Sequence, residues 1–138
     1  MRDAGPPWRF IAAHRAGYKV RYYKMRNLIG ELMVSRPALD GSYQKTISQL
    51  KKRPLVIIDG FLLHEVSSDG MGEQLELVDA RLLTGSTILC SQYRYDGWIK
   101  IMGRSVISEA FMSRIKSSSH VIEVKARRDM RMERSGLL

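Results

Sequence analysis

Leu55-Val56-Ile57-Ile58 is an unbroken apolar run that ends on a carboxylate, Asp59, with Arg53-Pro54 before it and Gly60 after it. A short apolar run bounded by turn residues is the pattern of a strand buried on both faces, as in parallel α/β sheets. Ligands of open α/β sheets bind beyond the carboxyl ends of the strands, and Asp59 stands at that edge. It can serve there as a ligand for a hard cation or simply as a solvated strand end. Tyr93-Arg94-Tyr95, with Trp98 and Lys100, interleaves aromatic and cationic side chains. Such a set either stacks bases and meets phosphates or folds its rings onto the domain. Lys125, Arg127, Arg128, Arg131 and Arg134 form a basic tail suited to a phosphate backbone or to plain solvation. The three histidines and the single Cys90 show no metal-ligand spacing.

Charge sets the class of partner. The 138 residues carry a formal net charge of +9 and a pI near 10.0. Residues 1–36 hold eight Lys/Arg against two acids and residues 94–138 hold ten against five, while the middle is slightly acidic. A basic balance at both ends suggests an acidic partner, most often nucleic acid, with a solvated basic surface as the alternative. No apolar run approaches the roughly 18–20 residues of a membrane span, so no membrane partner is expected. Met1 to Pro7 has no secretory apolar core, and one cysteine suits a reducing cytoplasm.

These residues need elements to position them. Residues 1–10 are irregular through Gly5-Pro6-Pro7, apart from a short helix that Trp8 to Ala16 can begin. Tyr18 to Lys24 is rich in strand formers and in cations, which suits an edge strand. A helix is expected from Asn27 to Pro37, and Leu39, Tyr43, Ile47 and Leu50 give a second amphipathic helix over 39–52. After the strand 54–59, Ser67 to Gly70 caps a helix running to about Leu83, with Met71, Leu75, Val78 and Leu82 inward. Ser86 to Ser91 reads as another buried strand. Tyr93 to Met102 is a loop with a short helical turn, Ser105 caps a helix over 106–117, and His120 to Val124 is a last strand. From Lys125 a frayed tail is expected. The alternation predicts one α/β domain over 1–138 with a parallel sheet.

In order and spacing, Gly17 to Tyr23, Gly41-Ser42-Tyr43, Leu55 to Asp59, Ser86 to Tyr93 with Gly97-Trp98, and Ser113-Arg114-Ile115 before His120 to Glu123 resemble the IstB-like family. That family comprises the helper ATPases of bacterial insertion sequences, related to DnaC-type helicase loaders within the AAA+ class. The resemblance covers roughly residues 12–132. It implies a three-layer parallel sheet of the P-loop AAA+ type and the cofactors ATP and Mg2+. It also implies DNA and a transposase as partners, and a homo-oligomer. Asp59 then matches the Walker B carboxylate beside magnesium, Gln92 the polar sensor at the tip of the next strand, and Arg114 the arginine presented to a neighbouring subunit's nucleotide.

The departures are as specific. No stretch fits G-x-x-x-x-G-K-[ST], and the second Walker B position, ordinarily an acid, is Gly60. A backbone nest and a lysine supply most of the grip on a triphosphate. The expectation is therefore a truncated IstB-like domain missing the phosphate-loop strand, its ATP binding weak or absent and its hydrolysis lost. Two rivals stand beside it: a non-catalytic basic DNA-binding or oligomerisation module, and a non-functional remnant of an insertion element. An unrelated α/β enzyme using Asp59 with His14 or His64 is a more distant reading.

Overall fold

The computed structural model describes residue 17, residues 19–63 and residues 66–124. Among these the chain runs β1 (Val20–Lys24), α1 (Met25–Ala38), α2 (Ser42–Lys52), β2 (Leu55–Phe61), α3 (Ser68–Leu82), β3 (Ser86–Ser91), α4 (Trp98–Met102) and α5 (Val106–Ser118), with a 3-10 turn at Tyr95–Gly97. The fold is α/β: a three-stranded parallel sheet flanked by helices, of the P-loop type. The strand order is β1-β2-β3. The apolar run is the central strand, with Val20 to Lys24 paired to Leu55 to Asp59, and Leu55 to Ile58 paired to Ser86 to Leu89.

Alternation along β2 sends Val56 and Ile58 to one face and Ile57 to the other, and all three are buried. Val56 and Ile58 join one core with Leu28 and Leu32 of α1, Leu50 of α2, Leu77 of α3 and Phe111 of α5. Phe61 belongs to that core only because β2 bulges. Ile58 pairs with Leu89 and Phe61 with Ser91, so β2 spends three steps where β3 spends two. Gly60 takes up the extra residue at φ +79°, a left-handed conformation that glycine adopts without strain. The Phe61 ring then meets Trp98 edge-on at 4.6 Å and stacks on Phe111 at 5.3 Å. Ser91 Oγ donates to the Phe61 carbonyl at 2.8 Å and pins the bulge to β3.

The amino edge of the sheet is tied by a buried cation. Arg81, 3 % exposed, donates to the carbonyls of Leu50 and Arg53 at 2.6 Å each and of Ser86 at 2.7 Å, and to Thr87 Oγ1 at 3.0 Å. Gly85 lies so close that a Cβ there would fall 2.7 Å from the Pro54 carbonyl and 2.9 Å from Arg81 Nη2. The glycine that reads in sequence as a helix breaker is thus also a packing requirement.

Several expectations are corrected. α1 begins at Met25, directly after β1, and runs one residue past Pro37 before Leu39 turns left-handed at φ 53°. α2 starts at Ser42 rather than at 39, because Leu39, Asp40 and Gly41 form the turn; Asp40 accepts from the Ser42 amide at 3.0 Å, and Leu39 is solvent-exposed. The deep face of α3 carries Met71, Gln74, Leu77 and Arg81, whereas Leu75 and Val78 only flank the core and Leu82 is exposed. Arg81's four acceptors, rather than apolar periodicity, set that rotation. β3 is half-buried instead of fully buried, since among the described residues it pairs on one side alone. His120 to Val124 forms no strand: the segment is exposed, with Ile122 81 % accessible. The helix proposed over Trp8 to Ala16, Tyr18 and the tail from Lys125 lie outside the described residues.

Candidate functional site at the carboxyl edge of the sheet

Asp59 stands, half-buried, opposite Lys24 at the end of the β1–β2 pairing. Side-chain alternation in register places Tyr22, Ile57 and Asp59 on the same face. Tyr22 Oη donates to Asp59 Oδ2 at 2.7 Å, and the Gly60 amide donates to Oδ1 at 2.9 Å. Each carboxylate oxygen therefore already accepts a hydrogen bond from the chain. Magnesium takes six oxygens in near-octahedral geometry. No group of three or more His, Cys, Asp or Glu side chains that would hold a metal occurs among the described residues. The described residues do not by themselves form a cation site. Gly60, beside Asp59, offers no second acid, and its positive φ disfavours one.

Gln92 follows β3 directly and is exposed. Because β2 and β3 are parallel neighbours, the sheet brings Asp59 and Gln92 to one edge on adjacent strands. Arg114 sits elsewhere. Its Nε donates to Asp79 of α3 and its Nη1 to the Ala110 carbonyl at 3.2 Å. Asp79 lies eleven residues along α3 from Ser68, about 16 Å at the helical rise, so the pair is well down the helix from the Asp59 edge.

The aromatic segment packs. Trp98 is 7 % exposed, its Nε1 donates to the Tyr93 carbonyl at 3.1 Å, and Tyr95 meets it edge-on at 5.2 Å. Neither face of Trp98 is open to a base. Lys100 is exposed on α4, and Arg94 pairs with Asp96 at 3.5 Å and Glu123 at 3.3 Å. Lys125, Arg127, Arg128, Arg131, Arg134, His14 and His64 lie outside the described residues.

Sequence reasoning missed two features. Tyr22 is one of two adjacent tyrosines, and only the β1–β2 register shows which of them faces Asp59. Glu73, buried on α3, accepts from Arg36 Nε at 2.6 Å, and Arg36 also donates to the Tyr43 hydroxyl. Burial, reinforced by the Glu73 charge, pushes the Tyr43 phenol up to about 12. A groove of about 190 Å³ opens beside Gly60, between Met25 and Ile29 of α1 and Leu62 and Gln74. Small-molecule sites span about 300–1,000 Å³, so this groove is too small to enclose a nucleotide.

The profile of the IstB-like ATP binding protein family matches residues 10–136. The chain belongs to that family. An insertion-sequence ATP-binding protein of Sinorhizobium fredii is 27% identical over 112 residues, covering 81% of this chain and 45% of the relative. An ATP-binding protein of insertion sequence IS1162 from Pseudomonas fluorescens is 34% identical over 80 residues, 58% of this chain and 34% of its own. An insertion-sequence ATP-binding protein of Mycobacterium tuberculosis is 25% identical over 112 residues, 80% and 44% respectively. The IstB-like chain thus spans less than half the length of each of these relatives. Among its described residues no helix is long and apolar enough to cross a membrane.

Proposed function

We propose that this chain serves in transposition as an IstB-like ATP-binding helper, with the Asp59–Gln92 edge facing the nucleotide. The supporting observation is positional: a carboxylate ends the central strand of a parallel sheet, and a polar residue follows the neighbouring strand at the same edge. The family role is ATP binding and hydrolysis coupled to DNA binding and transposase recruitment. In that role Arg114 would turn to a neighbouring copy's nucleotide, which requires it to leave Asp79. On their own, these 138 residues bind Mg-ATP weakly and turn it over no faster than background. Their sequence holds no G-x-x-x-x-G-K-[ST] and no acid at Gly60, and both oxygens of Asp59 are engaged within the chain. Titration with a fluorescent ATP analogue in magnesium tests this reading. Weak binding that Asp59→Ala lowers further supports it, and binding indifferent to Asp59 contradicts the assignment of this edge.

A second reading has its own observation, the net charge of +9 weighted to the two ends. In it the chain binds DNA through phosphates without nucleotide turnover. Retardation of a DNA duplex that weakens steeply with salt, and is indifferent to ATP, favours this second reading over the first.

A further inference from the structure

The groove between α1 and α3 has the makings of a site of its own. Met25 and Ile29 of α1, with Leu62 and Val66, give it apolar walls. Gln74 of α3 lines it, is 1 % exposed, and its Oε1 has no hydrogen-bond partner. A buried carbonyl oxygen without a donor is costly, and most such atoms in native proteins find one. Gly30 also lines the groove. It lies in the interior of α1, where glycine destabilises a helix relative to alanine. A Cβ there would meet nothing within 4 Å, so packing does not require the glycine. Its effect is to keep the groove open.

We propose that this groove binds one cytosine base, inserted from an unpaired stretch of DNA. At about 190 Å³ it is too small for a nucleotide but suits a single pyrimidine ring held between apolar walls. The free oxygen of Gln74 asks for a neutral N–H donor, because no acid among the described residues lines the groove to offset a cation. Cytosine brings such a donor in its N4 amino group, whereas thymine carries the O4 acceptor in the same place. Exposed Arg26 lines the groove too and can meet the phosphate that stays outside. Trp98, packed against Phe61 and Tyr95, is closed to this task.

The inference rests on the DNA-binding reading, and its test separates the two. Fluorescence anisotropy measures the full chain against labelled oligodeoxycytidylate and oligothymidylate of equal length, so that the phosphate contribution and its salt slope are matched. Wild type is expected to bind oligodeoxycytidylate about fivefold more tightly, the factor that corresponds to one hydrogen bond. Gly30→Leu fills the groove from a position that has room for a side chain, and Gln74→Met removes the acceptor at nearly constant volume. Both variants, shown folded by circular dichroism, are expected to bind the two oligonucleotides alike, at the wild-type affinity for oligothymidylate. Free deoxycytidine at the same nucleotide concentration is expected not to displace oligodeoxycytidylate. Displacement would make the groove a nucleoside site and overturn its assignment to DNA. Equal, salt-sensitive binding of both oligonucleotides by wild type overturns the groove and leaves the DNA reading standing. A preference that survives in folded Gly30→Leu or Gln74→Met overturns the groove as well. Failure to bind either oligonucleotide at low salt brings down both readings.

Discussion

Tyr43 keeps its proton to about pH 12 because burial and the nearby Glu73 carboxylate disfavour the phenolate. In the unfolded chain the same phenol ionises near 10. Between these values the unfolded state has lost a proton that the folded state retains, so stability falls as pH rises through the window and is intact below it. Urea midpoints measured from pH 9 to 12 are expected to fall less steeply for Tyr43→Phe than for wild type. Parallel slopes would show that the phenol is ordinary. Arg81 is the other decisive residue. Replacing it by Met leaves the Leu50, Arg53 and Ser86 carbonyls without their donor. A stranded buried acceptor carries a penalty of about 1–3 kcal/mol, and only the Leu50 carbonyl lies in a fully buried contact, so a loss of about 1–3 kcal/mol is expected in urea unfolding at unchanged m-value. A change under 1 kcal/mol would mean that water reaches those carbonyls.

Elements respond to fewer but sharper features. Gly60 carries the bulge at φ +79°, and an L residue there meets a penalty of about 1–2 kcal/mol. Gly60→Ala should therefore destabilise the chain by about that much, and it should change the tryptophan fluorescence through Phe61 and Trp98. Gly60→Asp should do the same without creating turnover, because the new carboxylate enters a strained position in a sequence that holds no G-x-x-x-x-G-K-[ST]. An unchanged melting temperature would contradict the bulge. At α5, Ser105 Oγ accepts from the Ser108 amide at 3.0 Å while Ser108 Oγ accepts from the Ser105 amide at 2.8 Å. Ser105→Ala should lose about 1 kcal/mol by the same measurement.

Most elements were legible because each has a local cause. Leu55 to Ile58 is apolar without a break, Ser67 and Ser105 are caps, and Leu50 closes a helical stripe. What escaped depends on partners distant in sequence. The rotation of α3 is set by carbonyls 28 and 31 residues away from Arg81, and Asp59 Oδ2 accepts from a tyrosine 37 residues away. His120 to Val124 has the composition of a strand, but strand propensity without a neighbouring edge makes only an extended segment. Asp59 and Gln92 were legible as strand ends. The burial of Trp98 was not, because aromatics interleaved with cations serve packing and stacking equally well.

At the scale of the molecule, charge is what a partner meets first. If the basic ends bind DNA through about four to six phosphates, the logarithm of affinity falls against that of salt with a slope of roughly −4 to −5. Removing residues 125–138 deletes five cations against two acids. It should make the slope shallower and leave the circular dichroism of the sheet and helices in place. Binding that ignores salt would assign the charge to solvation. For the nucleotide, the decisive quantity is turnover by the 138 residues alone, measured as phosphate release from Mg-ATP beside Asp59→Ala. The expected result is the background rate for both proteins, whereas a rate typical of an ATPase, abolished by Asp59→Ala, would contradict the account of the edge at Asp59.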